Sequence, residues 1–554
     1  MDRKNRYNIR TAAAFLSLLL FSLSSFAQNT DDIEKYLKDL PFPVQGISVP
    51  VFPDRVVNII DFGAVGDGQT MNTVAINKAI EDCASKGGGM VIVPAGLWLT
   101  GPIMFKSNIN LHLEKGALVL FSRDHKDYPV IKNPLKRAFE VTCPISGYGL
   151  ENIAITGNGI FDGSGETWRP VKKDKMTEGQ WKKLLASGGV VGPDGLYYPT
   201  QEALDGQQHL DSLRLKDKKL LTEKDYEPAR DFLRPYMVMF YRCKNILFDG
   251  PTFQNSPKFV LYPTYCENVV IRNINVLNEW WAQNGDGIDI NGGSNVLIYN
   301  CMVNAGDDGI CMKSSKSKDY GADIFLQNVI ISDCVVYHAH GGFVIGSNTD
   351  GGMHNISVTN CNFIGTDVGL RFKSSRGRGG LVDNIFVSNI YMKDIAREAI
   401  LFDTYYESTN TGDSETQFEV NETTPRFEKF FLRNIFCNGA EQAVNITGLP
   451  EMPVQDIEFD NITISARTGF SSVEARNIRI NKVNVIAEKG AIYDLKNSQD
   501  YMMKDITLPA RPGLFMKVKG ATTEKIEIQS SELSKIKNSI EFSEGAKENS
   551  VKVK

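Results

Sequence analysis

The 554-residue sequence has no strong excess of either charge, with 61 Lys and Arg against 66 Asp and Glu and a net charge of −5. That balance excludes bulk electrostatic adhesion to nucleic acid, and any anionic ligand would have to meet cations gathered locally. The sequence has no Cys-x-x-Cys pair, so the spacing of a zinc site is missing. It has no apolar run beyond its N-terminal leader that is long enough to cross a bilayer. No cysteine stands directly after that leader, the first being Cys83, which excludes a lipid anchor there. What it has in quantity is apolar residues, 42% of the chain, ample for one very large core or several ordinary ones.

The leader reads as an export signal. Lys4, Arg6 and Arg10 precede an apolar run from Ala12 to Leu23, and Ser25-Phe26-Ala27 offers a small-x-small cleavage site before Gln28. The expected division is a signal peptide over 1–27, an N-terminal extension over 28–50 and one catalytic body over 51–554, exported to the periplasm or beyond. Nine cysteines is an odd count for an exported chain. Cys243, Cys266, Cys301, Cys334, Cys361 and Cys437 recur beside apolar strand segments, as buried small hydrophobes stacked in a core would, and this reading is preferred to a disulfide framework.

Repetition is the main architectural signal. Asn152-Ile-Ala-Ile, Asn245-Ile-Leu-Phe, Asn268-Val-Val-Ile, Asn295-Val-Leu-Ile, Asn328-Val-Ile-Ile, Asn355-Ile-Ser-Val and Asn384-Ile-Phe-Val share one pattern. From Asn245 the steps are 23, 27, 33, 27 and 29 residues (268 − 245, 295 − 268, 328 − 295, 355 − 328, 384 − 355). One such unit cannot bury its apolar face, but stacked copies form a continuous core. The expected fold is all-β, a right-handed parallel β-helix, with the Asn forming a side-chain ladder up one turn. A leucine-rich horseshoe would need a Leu-dominated, helix-containing repeat, and neither feature is present.

Ahead of the repeats, Val74, Ala75, Ile76, Ala79, Ile80 and Cys83 line one face of a helix that ends before Gly87-Gly88-Gly89. A helix here would cap the open first coil. Two stretches break the regularity: roughly 166–234, Lys-rich with one helical piece, and roughly 406–426, which is polar. Asn477-Ile-Arg-Ile and Lys525-Ile-Glu-Ile extend the strand pattern nearly to the C-terminus.

Four motifs carry the chemistry: Asn284-Gly285-Asp286, Gly306-Asp307-Asp308-Gly309, His340-Gly341-Gly342 and Arg371-Phe372-Lys373. Their steps of 21, 33 and 31 residues (307 − 286, 340 − 307, 371 − 340) match the repeat, so each can return to one face of the stack. Coils lie roughly 4.8 Å apart, which puts Asp286 beside Asp307 and Asp308. Three crowded carboxylates cannot all ionise freely, so one holds a proton while the others stay charged. Glycoside hydrolysis needs such an acid and base together. Arg371 and Lys373 alternate with Phe372 and so share a face, where their partner is either the aspartates or a substrate carboxylate. His340, on the coil between, is placed to orient one aspartate. Taken singly each motif is ordinary: Gly-Asp-Asp-Gly is a common turn, and Asp clusters in β-helices also bind calcium.

These motifs, with Asp61-Phe-Gly-Ala-Val-Gly-Asp-Gly68 and Gly87-Gly88-Gly89 through Pro94-Ala95-Gly96, resemble the polygalacturonases of glycoside hydrolase family 28, from about Val56 past Tyr406. The resemblance implies inverting hydrolysis of α-linked galacturonic acid in pectin, a pectic polysaccharide or galacturonate oligosaccharide as partner, and no metal or other cofactor. It implies Asp307 as general acid, Asp286 and Asp308 as holders of the water, and His340 as their assistant. Arg371, Lys373, Asn284, Gly341 and Tyr406 would bind the sugar, with Tyr405 a neighbouring alternative to Tyr406. Asn-Gly-Asp and Ala339-His-Gly depart from the family's usual Asn-Thr-Asp and Gly-His-Gly, and no functional side chain is lost by either. The His340-Gly341-Gly342 form and Arg376-Gly-Arg-Gly resemble exo-acting bacterial members, and Lys316, Lys318, Arg376 and Arg378 are expected to meet a chain end. The alternatives are a hydrolase of rhamnogalacturonan or substituted galacturonan, a calcium-dependent pectate lyase, and a non-catalytic glycan-binding β-helix.

Overall fold

The computed structural model describes residues 33–133, 138–217, 219–316, 325–406, 416–506, 513–529, 536 and 539–554. The expected signal peptide, 1–27, lies outside them, as does Lys318. The chain is all-β in its main body, and its strands pair in parallel, each with the strand one rung on. Ile288 pairs with Ile310, Ile310 with Phe343, Phe343 with Leu370, Leu370 with Ile400 and Ile400 with Val444, so one row of inward side chains crosses six rungs. These residues fill a single continuous core that runs from Ile59 to Ile536. The strand-like segments foreseen near the C-terminus lie in Ala475–Ala487 and Glu524–Gln529.

Asparagine marks the turns because the backbone there is left-handed. Asn152, Asn245, Asn268, Asn295, Asn328, Asn355 and Asn384 all have φ between 53° and 59°, a region Asn tolerates far better than most residues. Their amides form the expected ladder, with Asn245 donating to Asn152 at 2.9 Å, Asn268 to Asn245 at 2.9 Å, Asn328 to Asn295 at 3.1 Å and Asn355 to Asn328 at 3.1 Å. The rung at Asn268 differs: its side chain also takes the backbone N–H of Ser48 at 3.0 Å and donates to the Ser48 carbonyl at 3.0 Å. A second ladder, invisible in the repeat pattern, joins Asn360, Asn389, Asn434 and Asn461.

Ser48 belongs to a strap that the sequence pattern does not reveal. Ile33 and Ile47 bury against Ala154, Leu247, Val270, Leu297 and Ile330 on the outer face. The Tyr36 ring lies 4.3 Å from that of Tyr299, and its hydroxyl donates to Asp333 at 2.7 Å. The N-terminal extension therefore lies along the rungs instead of hanging free.

The capping helix is Thr73–Ser85, with Ala75, Ile76, Ala79, Ile80 and Cys83 buried over the first strands. Val74, assigned to the same face from sequence, is 65% exposed; it stands one residue off the 3.6-residue stripe. All nine cysteines are buried and unbridged. The 166–234 stretch holds more helix than its sequence announces: Glu178–Ala186 and Gln201–Leu213 are both multi-turn, each started by a Thr side chain that accepts a backbone N–H. Trp181, Val171 and Tyr197 make a small separate core against Trp281, so the insertion folds by docking on the loop before Ile288. No helix among the described residues is long and apolar enough to cross a membrane.

Candidate active site

Glycines let the motif turns stack closely. A Cβ on Gly306 would stand 2.3 Å from the Ala282 carbonyl, and one on Gly287 would stand 2.6 Å from that of Gly309. The backbone N–H of Gly306 reaches the Gly285 carbonyl at 3.1 Å, and that of His340 reaches the Asp307 carbonyl at 2.7 Å. Asp286, Asp307, Asp308 and His340 thus come together on consecutive rungs, and each of the three aspartates offers an oxygen within 4.8 Å of the others.

Asp308 is the buried anchor. Lys373 Nζ donates to its Oδ2 at 2.7 Å and Arg371 Nη1 to its Oδ1 at 3.1 Å. Of the two partners open to these cations, the structure gives them the aspartate. Phe372 between them lies in the core. Burial pushes the Asp308 carboxyl up, but Lys373, Arg371 and Lys313 outweigh it and hold the group well below the usual carboxylate range. Asp286 goes the other way: burial, with the charges of Asp289 and Asp307 close by, pushes it well above that range despite Lys313. Its Oδ1 is buried without a hydrogen-bond donor among the described residues. Of these two, Asp286 is thus the carboxyl whose surroundings favour a proton, and Asp308 the one whose surroundings favour the ionised form. Asp307 is the most open of the three, and His340 Nδ1 lies 3.0 Å from its Oδ1.

Asp289 and Lys313 were not singled out from the sequence. Lys313 Nζ lies 2.8 Å from Asp289 and 3.4 Å from Asp286, all three nearly or wholly buried. Burial raises Asp289 to about 6, partly countered by Lys313. The signal was strand alternation: Ile288 and Ile290 point inward, so Asp289 and Asn291 point to the site face, as do Cys311 and Lys313 around Met312.

The remaining residues divide. Tyr406, not Tyr405, faces the site, its ring 4.8 Å from Lys373 Nζ and 5.4 Å from the Arg371 guanidinium. Tyr405 instead stacks on Arg376. Asn284 Oδ1 accepts from Arg234 Nη2 at 2.8 Å, so its side chain is engaged in holding the motif turn. Gly341 is a spacer: a Cβ there would sit 2.5 Å from Val344 and 3.3 Å from the stem of Arg371. Arg376, expected to meet a chain end, is instead clamped by Glu451 at 2.6 and 2.9 Å. Lys316 offers its backbone N–H to Asp350.

The site is a poor calcium cage. Calcium wants six to eight oxygens, whereas both Asp308 oxygens and Asp286 Oδ2 already face Lys373, Arg371 and Lys313. Fixed ammonium and guanidinium groups supply the positive charge an ion would bring.

The model of glycosyl hydrolases family 28 matches residues 218–479. A second model, rhamnogalacturonase A/epimerase, pectate lyase-like, matches residues 56–112. The chain is 29% identical over 408 residues to an exo-poly-alpha-D-galacturonosidase of Dickeya chrysanthemi, covering 71% of this chain and 64% of that relative's length. Among solved structures it is similar to a hyperthermoactive exopolygalacturonase from Thermotoga maritima, with a TM-score of 0.64 and 29% identity over 79% of this chain and 94% of the other. It also shares its fold with a family 28 exopolygalacturonase of Yersinia enterocolitica, TM-score 0.61 at 22% identity, over 83% of this chain and 79% of the other. The four motifs assembled on one face all lie inside the stretch that the glycosyl hydrolases family 28 model matches.

Proposed function

We propose that this protein hydrolyses α-linked galacturonic acid residues in pectin, from chain ends, by inverting acid/base catalysis. The observation that carries the reading is three carboxyls within 4.8 Å of one another in unlike surroundings: Asp308 held toward its ionised form by Lys373 and Arg371, Asp286 pushed toward its protonated form by burial, and Asp307 open to the groove. The open carboxyl can exchange a proton with solvent between turnovers, while the one held ionised can receive the proton of the attacking water.

In this mechanism Asp307, open to the groove, takes up a proton from solvent and delivers it to the leaving glycosidic oxygen. Asp308 is the base, and Asp286 helps hold the water it activates. A water accepting or donating at about 2.8 Å on each side spans oxygens up to about 5.6 Å apart, and the aspartate oxygens, all within 4.8 Å of one another, fall inside that limit. Inverting enzymes commonly separate their carboxyls by about 6.5–9.5 Å, so here the water would be gripped by two carboxyls at once and not set across a wide gap. Tyr406, its ring beside the two cations that hold Asp308, lines the place for the sugar ring.

The rungs are read as a right-handed parallel β-helix forming one body from residue 51 onward, supported by the parallel pairing and the likeness to the Thermotoga structure. Exo-action is supported by the two exo-acting bacterial proteins at 29% identity and by the insertion beside the site. The leader, with its small-x-small site before Gln28, is read as an export signal. The test is a reducing-end assay on polygalacturonate with excess chelator, read beside ultraviolet absorbance. Reducing ends without absorbance are expected; an unsaturated product, or calcium-dependent activity, would replace hydrolysis by elimination.

A further inference from the structure

We propose that Lys175, delivered by the 166–234 insertion, is a positioning residue that fixes the tautomer of His340 and thereby aims its N–H at Asp307. The inference deepens the hydrolase reading and rests on it for its kinetic arm.

Lys175 lies far from the motifs in sequence, yet its Nζ is 3.3 Å from His340 Nε2. It reaches there across the face of Trp280, 4.5 Å from the ring centroid. The insertion that carries it is pinned at both ends, to the loop preceding Asp286 and to the turn after strand Thr252–Gln254. At its start, the buried guanidinium of Arg169 donates to the Ser256 carbonyl at 2.7 Å, to Asn255 at 3.0 Å and to Glu279 at 2.9 Å. At its end, Arg234 donates to the Gln283 carbonyl at 3.1 Å and to Asn284 at 2.8 Å. Between these anchors, Met176 and Leu184 pack with Trp181 against Trp281. Lys175 is thus held over the groove by a folded support.

The chemistry follows from donor counting. A lysine ammonium has three donors and no acceptor, so the ring nitrogen it meets must accept. Nε2 then carries no hydrogen, and the ring's hydrogen sits on Nδ1, which lies 3.0 Å from Asp307 Oδ1. A ring protonated at both nitrogens offers the ammonium no acceptor. Asp367 is the competing partner for Nε2, but its carboxylate stands 3.8 Å away, beyond a hydrogen bond. Without Lys175 the contact with Asp307 alone favours the Nδ1–H form, and an Nε2–H form turned toward Asp367 competes with it at the expense of the bond that orients Asp307 for proton delivery.

The experiment uses the full chain labelled with 15N-histidine, His340 being assigned by the resonance lost in His340→Gln. Wild type is expected to show the Nδ1–H tautomer at His340. Lys175→Met keeps the apolar stem over Trp280 and removes the donor. It is expected to shift His340 toward Nε2–H and to lower kcat on polygalacturonate by roughly ten-fold, part of the ~100–10,000-fold that a positioned acid or base contributes, with KM nearly unchanged. Lys175→Arg, which restores a donor, is expected to recover much of both signals, and the exposed neighbour variant Lys172→Met to change neither. An unchanged tautomer in Lys175→Met, or a raised KM with kcat intact, would overturn the proposal, the latter making Lys175 a substrate contact. A wild type inactive on polygalacturonate would sink the hydrolase reading, while the tautomer in the unliganded protein would still decide Lys175.

Discussion

Replacing Lys373 by Met removes the shorter of the two bonds to Asp308, 2.7 Å between groups that are both almost fully buried, and leaves Arg371 in place. A hydrogen bond to a charged group contributes about 1.5–3 kcal/mol, and each 1.36 kcal/mol is one pKa unit, so the Asp308 carboxyl should rise by about 1–2 units. Asp308 is depressed in the folded protein, so its ionised form persists as pH falls and is lost only on passing the folded value. In the variant that loss comes earlier. The acid limb of kcat/KM should move to higher pH by about 1–2 units, measured on a galacturonate oligomer and on its methyl ester. Both substrates should suffer comparably, because the cation serves the aspartate. An acid limb that stays in place, with loss confined to the acidic oligomer, would refute the argument and return Lys373 to the substrate carboxylate.

Lys313→Met strands Asp289 and Asp286 without their buried cation and should cost about 3–5 kcal/mol. Asp289 is raised in the folded state to about 6, so the stability tied to its protonated form is lost as pH rises through that value, and the drop in Tm should be larger at about pH 8 than at about pH 5. An equal drop at both would contradict the pairing. Asp307→Asn cannot donate an acidic proton and should lower kcat by at least about 100-fold with the fold intact by circular dichroism; retention of a tenth of the activity would remove Asp307 from the acid role. Proton NMR of the first-formed product should show the β-anomer, since inversion at an α-linkage gives β, whereas an initial α-anomer would mean a covalent intermediate on one of the aspartates.

Legibility in the sequence followed how local each determinant is. The Asn ladder was readable because a left-handed turn selects Asn residue by residue, and the order of the four motifs because each occupies the same turn of its rung. Asp289 and Lys313 were present in plain alternation but sit outside the short motifs, and only the rung register brings 289 opposite 311 and 313 opposite 291. The Ser48 strap and Lys175 are set by docking over 220 and 165 residues of chain separation, which no local pattern encodes. Arg376 misled because its charge is readable but Glu451, which neutralises it, lies 75 residues away.

The most direct test of the account is the early product of wild-type protein acting on polygalacturonate with excess chelator, resolved by chromatography while viscosity is followed. The account predicts saturated galacturonic acid monomer released from chain ends, with viscosity nearly constant. Unsaturated products, or a rapid fall in viscosity with mixed oligomers, would contradict it.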